Sequence, residues 1–222
     1  MQEISLFWFR RDLRISDNKA LFHALNSKRP VLPVFIFDTE ILGELEFSKD
    51  GRVEFIHKQL SSIKEQLETF NSSILVLHGE PLEQFKWVLV NYPVAEFFFN
   101  RDYEPYALER DQHITNLFEE KNIPVQSFKD QVIFEKTEIV KKDGKPYTVF
   151  TPYKRKWREE LSDIFLKTFQ TEPLTNNFIQ TKPFPMPSLK KLGFQQTNYT
   201  FPKAAINEEI IRNYDQTRDF PA

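Results

Sequence analysis

The chain has 222 residues, of which 40% are hydrophobic and 28% charged, with 30 Lys and Arg against 32 Asp and Glu. This composition indicates a globular fold with a sizeable core, and it excludes gross disorder and a surface of one charge throughout. The absence of cysteine excludes disulfides, thiolate metal sites, iron–sulfur clusters and cysteine nucleophiles.

The amino terminus differs from a secretory signal, because Glu3 and an apolar run precede Arg10 and Arg11. No stretch approaches the roughly 20 apolar residues that a bilayer requires. The glycine patterns of dinucleotide-binding and P-loop proteins do not occur. We therefore expect a cytoplasmic, monomeric protein that has no membrane contact.

Short apolar runs alternate with amphipathic segments over the first 128 residues. Near-continuous apolar strands separated by helices are typical of a parallel sheet that is covered on both faces. The sequence therefore predicts an α/β fold for residues 1–128, a doubly wound parallel five-stranded sheet with helices on both faces. Strands are predicted at Ile4–Phe9, Val31–Phe37, Ile74–Leu77, Ala95–Phe99 and Pro124–Phe128, and helices at Asn18–Ser27, Arg52–Phe70, Leu82–Val90 and Ala107–Lys121.

The alternation stops after Phe128. Residues 129–170 are predicted to be a basic and aromatic extension of the same domain, with a helix over Pro152–Phe169. Residues 171–205 are rich in Pro, Thr, Asn and Gln, which predicts an interdomain linker extended along a surface. Residues 206–222 begin a new helix that has no core of its own, so we expect them to start a further domain that is absent from this chain.

Ligands of doubly wound sheets bind outside the carboxyl ends of the strands, where the strand order reverses. Polar residues follow the first, second and fourth predicted strands, and arginines lie on two nearby helices. This mixed-charge crevice suits a planar ligand with several hydrogen-bonding groups, although an ion pair at a loop start explains each residue taken singly. The candidate binding residues are Arg10, Asp38, Arg52, Asp102, Glu104 and Arg110.

Catalytic and metal-binding patterns are absent from the sequence. Asp102 and Glu104 are the nearest approach to a catalytic carboxylate pair, but their alternate spacing gives no reason for convergence on one atom. The four histidines do not have the spacing of metal ligands. We therefore predict no catalytic residue and no metal ion.

A basic segment interrupts the overall charge balance. Residues 141–158 contain seven basic residues and one acidic residue, interleaved with Tyr147, Phe150, Tyr153 and Trp157. Basic and aromatic side chains together can follow a phosphate backbone and stack on bases, so Lys154 and Arg155 are predicted DNA contacts. A solvated helix face explains the same pattern.

Five sequence motifs, in order along the chain, and the closing segment resemble those of the photolyase/cryptochrome family. The segment WFRRDLRISDN at Trp8–Asn18 is similar to the amino-terminal signature of that family, and the final YDQTRDFPA is similar to the start of its helical flavin domain. The resemblance covers the whole chain. The other motifs are FDTEIL at Phe37–Leu42, GRVEFI at Gly51–Ile56, FFNRDYEPYALERD at Phe98–Asp111 and VFTPYKRKW at Val149–Trp157.

The resemblance implies an antenna domain of a light-dependent DNA-repair lyase, the deoxyribodipyrimidine photolyase. In that family the amino-terminal α/β domain binds an antenna chromophore, and the carboxy-terminal domain holds FAD and damaged DNA. Light energy passes to reduced FAD, which donates an electron and splits a cyclobutane pyrimidine dimer. The resemblance thus implies that this chain needs its own FAD-binding domain as a partner and is inactive in repair alone.

The identity of the antenna depends on a few positions. In the folate-binding branch an Asn-Glu pair occupies the places that are Tyr106 and Ala107 here, so methenyltetrahydrofolate is disfavoured. The resemblance to the deazaflavin-binding branch implies that Arg52, Asp102, Glu104 and Arg110 surround the ring, with Asp38 nearby. A deazaflavin or flavin-like ring is therefore expected.

Three other functions are compatible with these residues. A cryptochrome photoreceptor would use the same domain in signalling. A nucleotide-binding module of similar α/β fold would hold an adenine nucleotide in the crevice, although no glycine-rich loop is present. A plain DNA-binding module would rest on the basic segment alone.

Overall fold

The computed structural model describes residues 2–162, 167–201 and 206–219. Five parallel strands form one sheet in the order β3-β2-β1-β4-β5. This architecture confirms the predicted doubly wound α/β fold. The strands are β1 (Ile4–Phe9), β2 (Val31–Asp38), β3 (Leu75–Gly79), β4 (Val94–Asn100) and β5 (Val125–Phe128), and the helices are α1 (Lys19–Leu25), α2 (Thr39–Gly43), α3 (Gly51–Glu68), α4 (Pro81–Asn91), α5 (Pro105–Glu119), α6 (Phe150–Glu160), α7 (Glu208–Arg212) and α8 (Tyr214–Thr217).

Alternate residues of the central strand β1 supply the cores on both faces of the sheet. Phe7 and Phe9 pack in one cluster with residues of α1 and α3. Leu6 and Trp8 pack in the other cluster with residues of α4 and α5. Burial on both faces explains why β1 is apolar at nearly every position, as expected for a covered parallel strand.

Polar side chains cap the amino termini of three helices. Asn18, Asp50 and Glu80 accept backbone N–H bonds at the amino termini of α1, α3 and α4. Such caps satisfy donors that the first helical turn leaves without partners. Helix α5 instead begins with Pro105, which has no N–H to satisfy.

Residues 171–201, predicted to lie within an extended linker, contribute to the core on the α1 and α3 face. A 3₁₀ helix at Glu172–Asn177 leads to Phe178, which is buried and forms a parallel bridge with Val31 at the start of β2. Leu192 and Phe194 are buried in the same cluster. These residues do not have a helical or strand period, and for this reason the sequence pattern did not predict their burial.

The end of this segment lies along α3. The Glu54 carboxylate accepts hydrogen bonds from the Thr197 N–H at 2.7 Å and the Thr197 hydroxyl at 2.5 Å. Farther along, the Phe201 ring lies 5.5 Å from that of Phe55. The Lys58 ammonium is 4.5 Å from the Phe201 ring. This arrangement fixes residues 197–201 against the side of α3.

Other boundaries differ from the prediction. Helix α6 ends at Glu160, whereas a helix was expected as far as Phe169, and residues 163–166 of that span lie outside the described residues. The short helix α2 was not predicted, because five residues are too few for a helical pattern. Of the expected closing segment, residues 220–222 also lie outside the described part of the chain. No helix among the described residues is long and apolar enough to cross a bilayer.

Candidate ligand site

The strand order reverses between β1 and β4, and a buried polar network joins the loops that follow these two strands. The Asn100 amide donates to Asp12 at 2.6 Å and to Asn18 at 2.8 Å, and its oxygen accepts the Ala20 N–H at 3.0 Å. Because buried polar groups are costly without partners, this satisfied network holds the two loops in one geometry. Asp12 and Asn18 of the motif at Trp8–Asn18 therefore have a structural role.

Two arginines lie over the indole of the buried Trp8. The guanidinium carbons of Arg10 and Arg110 are 5.0 and 4.8 Å from the Trp8 ring centre. Both arginines form ion pairs with Asp111 of α5, at 2.5 Å from Arg10 and 3.1 Å from Arg110. Burial lowers the pKa of Arg10, although Asp111 opposes this effect. The result is a compact cationic group at the carboxyl end of β1.

Asp38 lies at the end of β2, beside this group. One carboxylate oxygen accepts the Glu40 N–H at 3.0 Å and so caps α2. The other accepts the Tyr106 hydroxyl at 2.8 Å and lies 3.5 Å from Arg110. The sequence analysis did not select Tyr106 as a site residue, although its position beside the first residue of α5 places it at this edge of the sheet.

Asp102 and Glu104, in the loop after β4, both bind Arg11. The distances are 3.0 Å from Arg11 to Asp102 and 2.5 Å from Arg11 to Glu104. Burial opposes ionisation of Asp102, but the Tyr103 N–H and Arg11 hold its pKa below the ordinary value. More than half of the Arg11 side chain is exposed, and its guanidinium covers the buried Asp102 carboxylate from the solvent side, whereas Glu104 is itself exposed.

Arg52 is placed differently. Its side chain is 74% exposed and forms an ion pair at 2.6 Å with Asp50, the cap of its own helix. Among the described residues, the contacts of Arg52 therefore do not join it to the arginines over Trp8. The structure brings Arg10, Asp38 and Arg110 together in one cluster, and it joins Asp102 to Glu104 through Arg11.

A cavity of about 100 Å³ lies at the switch point, and its lining includes Arg10, Arg11 and Asp102. Small-molecule pockets usually have at least about 300 Å³, so a three-ring ligand requires side chains to move. Arg11 lines the cavity and is mostly exposed, so it can move without opening the core. Tyr106, Asp38, Glu104 and Arg110 lie outside the lining of this cavity.

The donor set at this edge fits a ring that bears carbonyl groups. Arg10 Nη2 is buried and has no hydrogen-bond partner in the described part of the chain. A buried guanidinium N–H without an acceptor is costly, and a ligand carbonyl would satisfy it. Carboxylates at Asp102 and Glu104 can accept N–H or hydroxyl groups once Arg11 moves. The residues present therefore fit a flavin-like ring in their chemistry.

The two predicted DNA contacts lie outside this site. Lys154 and Arg155 lie on α6, where they line a shallow surface depression with Thr151, Arg158 and Glu159. Within the described ranges, no group of three or more His, Asp or Glu side chains is arranged to hold a metal ion.

Sequence comparison links the chain to known proteins. The family model described as DNA photolyase matches residues 5–176. The chain is 28% identical to the deoxyribodipyrimidine photo-lyase of Halobacterium salinarum in an alignment of 238 residues, gaps included. The alignment covers 98% of this chain and 49% of that protein. The chain is 31% identical over 158 residues to Cryptochrome-2 of Arabidopsis thaliana, covering 70% of this chain and 25% of that protein. The chain thus spans about half the length of the photolyases it matches.

Solved structures agree with this result. A class III photolyase from Agrobacterium tumefaciens superimposes with a TM-score of 0.64 at 25% identity, over 73% of this chain and 33% of that protein. An archaeal photolyase from Sulfolobus tokodaii, solved with two FAD molecules, superimposes with a TM-score of 0.62 over 83% of this chain and 43% of that protein. At 22% identity the second match shows a common fold alone.

Proposed function

The chain belongs to the DNA photolyase family, and we propose that its α/β domain holds the antenna chromophore of a light-dependent DNA-repair lyase. When bound, this chromophore would absorb light and pass the energy to an FAD in a second domain. The photolyases that the chain matches are about twice its length, which supports a role as one domain of a larger enzyme.

The observation that carries this proposal is Arg10, which lines the cavity at the switch point and whose buried Nη2 has no hydrogen-bond partner in the described part of the chain. Arg10 would donate to a ring carbonyl, while Arg110, held by Asp38 and Asp111, would orient the same edge of the ring. Asp102 and Glu104 would accept ring N–H or chain hydroxyl groups after Arg11 moves away. Arg52 would contribute from the exposed rim.

We propose a deazaflavin or flavin-like ring as the chromophore. The donors and acceptors described above suit the carbonyl and N–H groups of such rings. The Sulfolobus tokodaii photolyase, whose structure contains two FAD molecules, supports the choice of a flavin-like antenna. Methenyltetrahydrofolate is the less favoured alternative, since Tyr106 and Ala107 replace the Asn-Glu pair of the folate branch.

The proposal extends to the whole enzyme. Splitting of pyrimidine dimers would require FAD and damaged DNA in a domain that follows residue 205, so these 222 residues alone would not repair DNA. We also propose that residues 1–170 form the antenna domain, that residues 171–205 connect it to the next one while part of this segment packs into the antenna-domain core, and that the protein is monomeric and cytoplasmic.

The test is reconstitution of the purified chain with 8-hydroxy-5-deazaflavin, FMN, FAD or methenyltetrahydrofolate, followed by gel filtration and absorbance spectroscopy. We expect visible absorbance to stay with the protein for a deazaflavin or flavin. Arg110→Lys should reduce the retained absorbance at least tenfold, because an ammonium cannot replace the planar fork of the guanidinium. Lys182→Ala, a substitution on a different surface, is the matched control. Retention of none of the four compounds would overturn the proposal.

A cryptochrome photoreceptor is the second candidate, and the similarity to Cryptochrome-2 favours it specifically. Both candidates use the same antenna domain. An assay of dimer splitting in light, with the chain joined to the FAD-binding domain of a photolyase, separates them: splitting supports the photolyase, and its absence in a chromophore-loaded protein supports the cryptochrome.

A further inference from the structure

A local excess of positive charge lies on α6 and the loop before it, remote in sequence from the ligand site. Through the end of α6, positions 141–160 contain seven basic and three acidic residues. Seven basic residues and one acidic residue occupy positions 141–158, although the chain as a whole has a formal net charge of −2. A concentration of one charge on a nearly neutral molecule attracts a partner of opposite charge.

Three of these cations are free on one side of α6. Lys154 and Arg158 are four residues apart and Arg155 and Arg158 three apart, so all three neighbour one another on the helix surface. They line one shallow depression and are exposed. Among the described residues, the ion pair that forms on this helix joins Lys156 to Glu160. The other three cations form no ion pair there, although Glu159 lines the same depression.

Exposed aromatic rings accompany the cations. Phe150 at the start of α6 is 71% exposed, and Tyr153 is also exposed, with its ring 6.2 Å from that of Tyr147. Neighbouring exposed rings, unlike single ones, are a common mark of a binding surface. Flat rings beside cations are the combination with which proteins bind unpaired bases and their phosphates.

The other apolar residue of the helix faces the protein, which argues against a lipid surface as the partner. The Trp157 ring packs edge-on against Phe134 at 5.6 Å. A helix that binds the membrane interface needs a continuous apolar face along its length. Here the exposed rings are confined to the first turn of α6.

We propose that α6 forms a single-strand nucleic-acid binding surface, in which Lys154, Arg155 and Arg158 contact successive phosphates and Phe150 stacks on a base. This surface is separate from the ligand site and does not depend on a bound chromophore. Binding would be independent of base sequence, because the contacts are to phosphates and to the faces of the bases.

The test measures binding of the 222-residue chain to a fluorescent mixed-sequence single strand and to the matching duplex, at salt concentrations from about 50 to 200 mM. We expect tighter binding to the single strand. The triple variant K154A/R155A/R158A should lower the slope of log K against log salt by about 2, since each lost phosphate contact removes about 0.7. Phe150→Ala should weaken single-strand binding about tenfold and duplex binding much less.

The triple variant K182A/K190A/K191A is the control, because it removes the same charge from exposed lysines of another segment. An equal loss of slope in both triple variants would overturn the proposal in favour of non-specific attraction. Binding to vesicles containing phosphatidylserine, without binding to the single strand, would overturn it in favour of a membrane surface. Circular dichroism of each variant confirms that the fold is retained. Since no chromophore is added, these outcomes are independent of the reconstitution test.

Discussion

The Tyr106 hydroxyl donates a 2.8 Å hydrogen bond to the buried carboxylate of Asp38, and this bond joins the start of α5 to the end of β2. Arg110 lies against both groups, 3.5 Å from the carboxylate and 5.5 Å from the Tyr106 ring centre. A ligand that approaches Asp38 from solvent must therefore displace Tyr106.

Substitution of Tyr106 by Phe should change the alkaline titration of the protein. Burial and the Asp38 carboxylate raise the pKa of Tyr106, and burial and Glu135 raise that of Tyr103 in the same way. The stabilisation linked to each raised pKa is fully present below about pH 10, the ordinary tyrosine value, and is lost as the pH rises above it. In an ultraviolet titration, Tyr106→Phe should have one tyrosine fewer than the unsubstituted chain that ionises above the ordinary tyrosine pKa. The double variant Tyr103→Phe/Tyr106→Phe should have two fewer. An unchanged number of such tyrosines in Tyr106→Phe would show that the bond to Asp38 does not form.

Asn100→Ala should be among the more destabilising single substitutions at the switch point. It leaves the Ala20 N–H without its acceptor and removes a donor to the buried Asp12 carboxylate, for a loss of about 2–4 kcal/mol. Urea unfolding monitored by circular dichroism measures this loss. Asn91→Ala, at the exposed end of α4, removes an amide of the same size whose bond is to a carbonyl of its own helix, and it should cost less than about 1 kcal/mol. Equal losses would contradict the role of the network.

Glu54→Gln should make the acid limb of the stability curve flatter. The hydrogen bond from Lys58, followed by those from Thr197, lowers the pKa of Glu54 to about 2. Because this pKa is below that of an unfolded glutamate, the stabilisation is present above about pH 4.5 and disappears as the pH falls through 2. Thermal unfolding should show a lower Tm for the variant at pH 7 and a smaller difference near pH 2. Glu159→Gln, on the exposed end of α6, should leave the Tm unchanged at both pH values.

Arg52→Ala and Arg110→Lys should differ in their effect on chromophore binding. Arg52 is mostly exposed and its ion pair is with its own helix cap, whereas Arg110 is buried beside Asp38. We expect a several-fold increase in Kd for Arg52→Ala and a larger one for Arg110→Lys, measured by titration of the reconstituted absorbance. A larger effect of Arg52→Ala would move the centre of the site toward α3.

The strands and helices could be predicted because each one is recognisable from the pattern of apolar residues within its own segment. Each strand is an apolar run and each helix has one apolar face, so periodicity locates both without knowledge of their neighbours. The strand order did not follow from this pattern, and it became visible only in the parallel pairing of β1 with both β2 and β4. The burial of Phe178 is a further long-range effect, because its partner Val31 is more than a hundred residues away.

The candidate site could be predicted in part for the same reason. Strand ends mark where polar side chains emerge, which located Arg10 and Asp38. On α5, Arg110 was a candidate from the sequence, but Tyr106 and Asp111 could not be assigned, since the rotation of that helix decides which side chains meet Asp38 and Arg10. Arg52 shows the opposite case, because its position at a helix start made it a candidate, but the structure pairs it with the neighbouring Asp50.

The late position of Phe178, Leu192 and Phe194 in the chain has a consequence for biosynthesis. A ribosome makes β1 to β5 first, yet one side of the sheet keeps its hydrophobic surface open until these three residues leave the exit tunnel. A nascent chain that pauses between β5 and residue 178 would therefore expose apolar surface that chaperones bind. Its folding would be completed only after residues 178–194 are synthesised.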